Sequence, residues 1–387
     1  MAERCGADDH RSGDGVESLG GSVTSRDRNA DPAVSVVMAA YNGAGLIEET
    51  LASLQAQIFG DFEVIVVDDC STDDTREVVR AWPDPRVRLV VMAKNGGPVL
   101  ARNRGFAEAR GRYIAALDHD DICRPDRFAR QVAYLDAHPD TVLLGTAAEL
   151  LTAGVVGPSS YAPTTTPALV AWLTCIENPL VWSSTMMRTE VARRLDPVTR
   201  PELLYAEDFD LYQRIQHFGA IARLDEALVL YRVHPGGVSK RFVDTMEAAS
   251  VRVLTERYAR LFDDRAERVA RLIMLHNMAK RPVPDRAALA MLGSALSVIQ
   301  ADFLATHDCS AHDIRLIRWE TARRWGDIGR AGLRAGTVRL ADVLAVRPDH
   351  LGLGYAGLEA LLWSGLIGGV RRARRRMEQS RMAQTAE

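Results

Sequence analysis

Between Val34 and Leu117 the chain alternates four short apolar runs, rich in β-branched residues, with stretches of helical spacing. The runs cover 34–40, 62–67, 87–92 and 113–117, and the stretches between them cover 44–57, 73–81 and 98–109. Leu46, Ile47, Thr50, Leu51 and Leu54 share one face of the first stretch. Strands apolar on both faces, separated by helices, predict an α/β fold with a mostly parallel sheet flanked by helices. In such sheets a ligand sits beyond the carboxyl ends of the strands. Tyr41, Asp68 and Asp69, and the acidic group Asp118, Asp120 and Asp121 all follow strand ends. They are expected at one crevice.

Later signals are sparser. Strands are predicted at 142–144, 184–187 and 228–233, with a helix over 207–217. After Arg241 the strand signals vanish, and long helical patterns follow, broken at Pro282, Pro284 and Pro348. Residues 1–31 are polar and rich in Gly, Ser, Asp and Arg, so they bury too little apolar surface to offset chain entropy. The expected organisation is a disordered tail over 1–31, an α/β domain over 32–240 and an all-helical region with a basic end over 241–387.

Composition removes several alternatives. A length of 387 residues suffices for two modest domains, and a net charge of −3 supplies no basic field for nucleic acid. The five cysteines are scattered without a CxxC pair, which argues against structural zinc and a disulfide framework. Together with the lack of an apolar leader-like segment near the N-terminus, this predicts a cytoplasmic protein. No uninterrupted apolar stretch of spanning length is apparent.

The chemistry concentrates at Leu117-Asp118-His119-Asp120-Asp121, where an apolar strand ends in three carboxylates. Carboxylates crowded at a sheet edge repel one another unless something positive lies between them. A hard divalent cation, Mg²⁺ or Mn²⁺, meets that need and takes substrate phosphates as further ligands. An acidic turn capping a helix that starts near Pro125 would use the same residues. Neither glycine-rich phosphate loop is present. The segment Tyr41-Asn42-Gly43-Ala44-Gly45 lacks the third glycine of a dinucleotide fingerprint, and no GxxxxGK[ST] occurs.

Several motifs occur in an order that resembles the family 2 glycosyltransferases of GT-A fold. Ser35-Val36-Val37-Met38-Ala39-Ala40-Tyr41-Asn42 resembles the family's opening strand, and Val66-Val67-Asp68-Asp69-Cys70-Ser71 its uridine-binding turn. Ala101-Arg102-Asn103-Arg104-Gly105 and Gly111-Arg112-Tyr113-Ile114 resemble the approach to the metal site. The acidic group at 118–121 resembles the DxD motif, Glu207-Asp208 the pair carrying the base, and Tyr231-Arg232-Val233-His234 the loop over the diphosphate. The resemblance covers roughly residues 33 to 240.

What the resemblance implies is an inverting, metal-dependent transfer of a sugar from a nucleotide-sugar, a UDP-sugar, to a glycan, lipid-linked or protein acceptor. Ala39 and Tyr41 would lie by the nucleobase, with the Tyr41 π-face on the uracil. Asp69 would accept the imide N–H, and Asp68 would orient the turn or touch ribose. Asn103, with Arg102, would face the same crevice. Asp120 would be the direct metal ligand, and Asp118 would touch ribose or a metal-bound water. His234 would be a third ligand or a diphosphate donor. Asp121 would cap the following turn, and His119 has no assigned role. Asp208 would be the base, with Glu207 and Asp210 in reserve. Trp172, Asn178, Trp182 and Tyr205 are candidates either for stacking on the acceptor sugar or for core packing. The QxxRW signature of processive synthases is missing, since Arg323-Arg324-Trp325 lies too far downstream and lacks the glutamine. That favours transfer of single residues.

Two other readings stand beside this one. A nucleotidyltransferase would show a basic first loop, and 41–45 holds no Lys or Arg. A catalytically silent nucleotide-sugar-binding or scaffold subunit would not need both Asp120 and Asp208. At the far end, an apolar stretch over 358–370 with Trp363 precedes five arginines within 371–376. It suits peripheral contact with an anionic membrane, or a docked helix with a solvated basic end.

Overall fold

The first apolar run becomes β1 (Val34–Ala40), with six of its seven residues buried. Then follow α1 (Ile47–Gln55), β2 (Phe62–Asp68), α2 (Thr75–Ala81), β3 (Val87–Val91), α3 (Pro98–Glu108) and β4 (Tyr113–Ala116). This is a computed structural model that describes residues 31–158, 164–234, 236–237, 241–348 and 358–384. The tail expected over 1–31 therefore lies, but for Asp31, outside the described residues.

The four strands pair in parallel in the order β3-β2-β1-β4. In register, Ala40 stands beside Asp68 and Val37 beside Ala116. The strand order turns back between β1 and β4, and that reversal opens a crevice at their carboxyl ends.

The second half of the sheet is mixed rather than parallel. It holds β5 (Ile122–Cys123), α4 (Arg127–Ala137), β6 (Thr141–Thr152), β7 (Val155–Pro158), α5 (Pro167–Thr174), β8 (Met186–Arg188), α6 (Thr189–Ala192), α7 (Glu207–Ile215) and β9 (Ala220–Val233). β8 runs antiparallel to both β4 and β6, whereas β6 and β9 run parallel along most of their length. These two strands far outrun the short segments expected at 142–144 and 228–233. Their outer halves are partly exposed and broken by register shifts near Thr146 and Ala147, so they carry no sustained apolar run. The short β5 pairs antiparallel with β9 and brings the acidic turn against the end of that strand.

The C-terminal region is helical, as its sequence predicts. It comprises α8 (Val243–Phe262), α9 (Ala266–Leu272) running on into a π-helical turn (Ile273–Met278), α10 (Arg286–Thr306), α11 (Ala311–Ala335), α12 (Leu340–Ala345) and α13 (Leu358–Gln384). α11 starts on a capping box of Ser310 and Asp313 and stops at Gly336 with φ of 76°.

These helices share a core with the α/β part. Trp172, Leu203 and Phe209 pack in one cluster with Tyr258, Ile273, Leu296, Phe303 and Trp325. Each such side chain contributes about 1.5–3 kcal/mol on burial. Contrary to the expectation of no spanning stretch, α10 is long and apolar enough to cross a bilayer by length and composition. Here it is a core helix, with Leu289, Leu292, Leu296, Ile299 and Phe303 buried. The four cysteines among the described residues, Cys70, Cys123, Cys175 and Cys309, are unpaired thiols.

α3 presses closely on β1, and Gly105 permits it. A Cβ there would lie 2.4 Å from Val37 Cγ1, in the middle of the sheet. Gly105→Ala gains about 1 kcal/mol of helix propensity, but overpacking costs about 1–3 kcal/mol. Because Val37 on the central strand has nowhere to go, urea unfolding should show a net loss of stability. A neutral or stabilised variant would mean that α3 lifts freely from the sheet.

Candidate active site

Two turns at the carboxyl ends of β1 and β2 are tied together. The Asn42 N–H donates to Ser71 Oγ at 3.0 Å, and Asn42 Oδ1 accepts from Thr72 N at 2.8 Å. This holds the half-exposed Tyr41 ring beside the Asp68 turn. Asp68 is fully buried, pairs with Arg76 at 2.6 Å and accepts from Ser71 N, so it orients the turn. Asp69 accepts from the amides of Gly96 and Gly97, each at 2.7 Å, with Gly97 at φ of 83°. It thereby shapes the loop before α3. The Ala39 carbonyl lies 3.3 Å from His119 Nδ1. His119 also explains Gly43, where a Cβ would sit 2.3 Å from the imidazole.

The acidic turn after β4 is held on two sides. Asp118 N donates to Ser183 Oγ at 3.0 Å. From β9, Arg232 Nε donates to the Asp120 carbonyl at 2.8 Å, and Arg232 N donates to Asp121 Oδ1 at 2.8 Å. His234 Nε2 lies 3.0 Å from Asp120 Oδ2. Asp118, Asp120 and His234 are all partly exposed. Asp121 is buried, and that burial, with the like charges of Asp120 and Asp118, pushes its carboxyl well above the usual range. Three carboxyl groups thus crowd one turn, opposed by Arg102 at Asp118 and by Arg232 at the other two. Among the described residues there is no group of three His, Cys, Asp or Glu set to hold a metal ion.

Arg102 on α3 joins this turn to α7. Its guanidinium bonds Asp118 Oδ1 at 2.7 Å, pairs with Glu207 Oε1 and lies over the Trp182 ring at 4.8 Å. Glu207 and Asp208 open α7, where the positive helix end favours carboxylates. Burial pushes Glu207 up to about 7 against the pull of Arg102, with the Asp208 charge adding to the rise. Burial also raises Asp208, while hydrogen bonds from Asn178 and from Phe209 N hold it back. Those bonds are 2.8 Å from Asn178 Nδ2 to Oδ2 and 2.7 Å from Phe209 N to Oδ1. Asp210 is instead buried in ion pairs with Arg200 and Arg214.

Beside Asp208 lies a cavity of about 430 Å³. Asn178 and Tyr205 line it from the α/β part, and Met246, Met274 and Met278 line it from α8 and the π-helical turn. Glu247 and Arg281, paired at 2.6 Å, add a charged edge. The Tyr205 ring stacks on Phe242 at 4.8 Å.

The model of glycosyl transferase family 2 matches residues 35–193. The putative glycosyltransferase EpsE of Bacillus subtilis (strain 168) is 30% identical over 221 residues, which is 55% of this chain and 77% of that protein. The chain belongs to glycosyltransferase family 2. The succinoglycan biosynthesis protein ExoO of Rhizobium meliloti (strain 1021) is 52% identical over 106 residues, 27% of this chain and only 30% of that protein. Among solved structures, S. aureus TarS 1-349 in complex with UDP-GlcNAc is 20% identical with a TM-score of 0.48, covering 82% of this chain and 89% of that one.

For a family 2 chain, the structure gathers Tyr41, Asp68 and Asp69 at one pair of turns, and Asp118, Glu207 and their neighbours around Arg102. Asn103 lies apart from both groups in its bonding. Its Nδ2 donates to the Thr199 carbonyl at 2.7 Å and its Oδ1 accepts from Thr199 N at 3.0 Å, clamping α3 to the loop before α7. For two of the four acceptor candidates the structure decides for core packing. Trp172 is fully buried in the helical core, and Trp182 lies beneath Arg102 with 6% exposure, so neither ring is free to stack on a sugar. Asn178 and Tyr205 do reach the cavity. The sequence reading missed the methionines of α8 and the π-helical turn, because Met at helical spacing reads as core.

Among the described residues, Arg102 is the one cation bonded to both acidic motifs. Removing one partner of a buried ion pair costs about 3–5 kcal/mol. Arg102→Leu should lose stability on that scale at pH 8, where Glu207 is ionised. Glu207 has a raised folded pKa, so below about 5 it is neutral and asks for no cation. The variant should therefore lie nearer the wild type in urea unfolding at pH 5. An equal loss at both pH values would show that packing on Trp182 and the Asp118 pair, not the Glu207 charge, are what Arg102 supplies.

Proposed function

We propose that the crevice binds a nucleoside-diphosphate sugar, a UDP-sugar, and that the sugar passes with inversion to a hydroxyl of an acceptor in the cavity beside Asp208. The observation that carries this reading is the position of Asp208. It lines a cavity large enough for a saccharide end, and Arg102 connects its helix to the acidic turn. The acceptor classes are a glycan, a lipid-linked saccharide or a protein. The succinoglycan role printed for ExoO favours the glycan.

In this reading Tyr41 stacks on the base, and Asp69 accepts the imide N–H on lone pairs that the Gly96 and Gly97 amides leave. Although no three of these side chains stand ready around one point, Asp120, with His234 beside it, and the Asp118 oxygen not bonded to Arg102 are the groups that would turn to Mg²⁺ or Mn²⁺ when the diphosphate brings it. The carboxylate oxygens of Asp118 and Asp120 are the donor type a hard cation takes, and such a cation would complete its shell with water and diphosphate oxygens. When bound, that cation offsets the charge on the leaving diphosphate. The acceptor oxygen attacks the anomeric carbon, and the bond to the diphosphate breaks with its electron pair leaving on UDP. Asp208 takes the acceptor proton. Asn178 orients the receiving carboxylate, and Glu207, held by Arg102, fixes the start of α7. A single displacement inverts the anomeric centre.

Asp208→Asn should lower sugar transfer by about 10²–10⁴-fold, the usual worth of a positioned base, while UDP affinity by calorimetry stays within about twofold. Loss of UDP binding in parallel with turnover would remove Asp208 from the role of base. The pH profile gives an independent check. Burial raises Asp208, so the acidic limb of kcat/KM should lie above the ordinary carboxylate range near 4. The Asn178 bond stabilises the anion, so Asn178→Ala should move that limb to higher pH. A shift to lower pH would contradict the geometry. Asp120→Ala should abolish the gain in UDP affinity that Mn²⁺ confers, and an unchanged gain would sink the metal assignment.

A further inference from the structure

α13 is apolar on two sides, and only one of them is covered. On the covered side Leu361 and Ser364 are buried. A Cβ at Gly368 would meet the Leu333 carbonyl at 1.7 Å, so backbone touches backbone there. Arg371 and Arg372 then donate to the carbonyls of Arg334 and Val338, at 3.0 and 2.9 Å, closing the end of α11. The helix is therefore seated firmly on α11.

On the opposite side Leu362, Trp363, Leu366, Ile367 and Val370 form a stripe at helical spacing. Trp363 is 60% exposed, Leu366 63% and Val370 71%. A contiguous apolar stripe left in water marks an interaction surface. Directly after it come five arginines within 371–376, and over 359–377 the sole acid is Glu359.

We propose that this stripe lies in the surface of an anionic phospholipid bilayer, with α13 parallel to the membrane plane. The apolar part is too short to span a bilayer, and the helix continues into a polar, basic half, which suits the interfacial plane. The tryptophan belongs at the headgroup level. The arginine cluster meets the negative surface potential of anionic lipid. A second copy of this helix would bring apolar surface but no acidic partner for the arginines, whereas anionic headgroups provide both. The other face of α13 stays on α11, so docking needs no unfolding. This inference does not depend on the transfer chemistry proposed above.

The test is flotation of the full chain with vesicles of phosphatidylcholine alone or with about one third phosphatidylglycerol. The chain should float with the anionic vesicles, and about 0.5 M salt should release most of it. Leu366→Glu with Val370→Glu should cut binding at least tenfold. Arg374→Gln, Arg375→Gln and Arg376→Gln together should cut it about a hundredfold, at about tenfold or less per arginine. Leu366 and Val370 are exposed, and an unchanged melting temperature confirms that each variant folds. Equal binding to phosphatidylcholine alone, no binding to either vesicle, or wild-type binding by the Leu366/Val370 variant would each overturn the proposal. So would light scattering that shows a dimer abolished by Leu366→Glu and Val370→Glu without any vesicle binding.

Discussion

Three segments from distant parts of the chain meet on the guanidinium of Arg102. It bonds Asp118 after β4, pairs with Glu207 at the start of α7, and lies on Trp182 before β8. Without a cation there, two acidic turns would face each other at a sheet edge under mutual repulsion. A fork of fixed geometry can bond two carboxylates at once, which a point-like ammonium does less well. The same contact places the acidic turn and the Glu207–Asp208 pair in one electrostatic unit. Glu207 is raised to about 7 even against this neighbour, which shows how strongly burial acts on the start of α7.

Around that centre, several buried and partly buried carboxylates each have a basic side chain within bonding distance. Asp68 has Arg76, Asp210 has Arg200 and Arg214, and Asp120 has His234. The C-terminal helices take part as well. Arg324 of α11 is buried and donates from Nε to Glu177 at 3.2 Å, while also pairing with Glu320. Glu177 directly precedes Asn178, the side chain that bonds Asp208. The helical region thus grips the segment that orients the carboxylate, and it also builds one wall of the adjoining cavity. The π-helical turn has a visible consequence there. By widening α9 at its end it carries Met274 and Met278 into that wall.

The parallel half of the sheet was legible because its strands are buried on both faces and its helices carry clean apolar stripes. Predicted and observed limits for α1, α2 and α3 differ by three residues or fewer. β6 and β9 were legible only in part, since their exposed halves read as neither strand nor helix. The acidic turn, Tyr41 and the Glu207–Asp208 pair could be named because each follows a recognisable local signal, a strand end or a helix start. Arg102 was expected on a helix facing the crevice, but its partners were not legible because they lie 16 and 105 positions away in the chain. Trp172 and Trp182 were read as sugar-stacking candidates for the converse reason. An aromatic residue carries no mark in the sequence of whether its ring ends in the core or at a surface.

By itself the sequence determined the α/β class, the crevice at the ends of β1, β2 and β4, the helical character of the C-terminal region, and the family-like order of motifs. These depend on local periodicity and on residue types at element ends, which short-range sterics and burial dictate. Only the tertiary structure decided which carboxylates share Arg102, that Asn178 bonds Asp208, and that α8 and the π-helical turn close the cavity beside it. Those outcomes depend on distances between segments far apart in the chain. Such distances are set by how the helices pack on the sheet, and no local pattern encodes them.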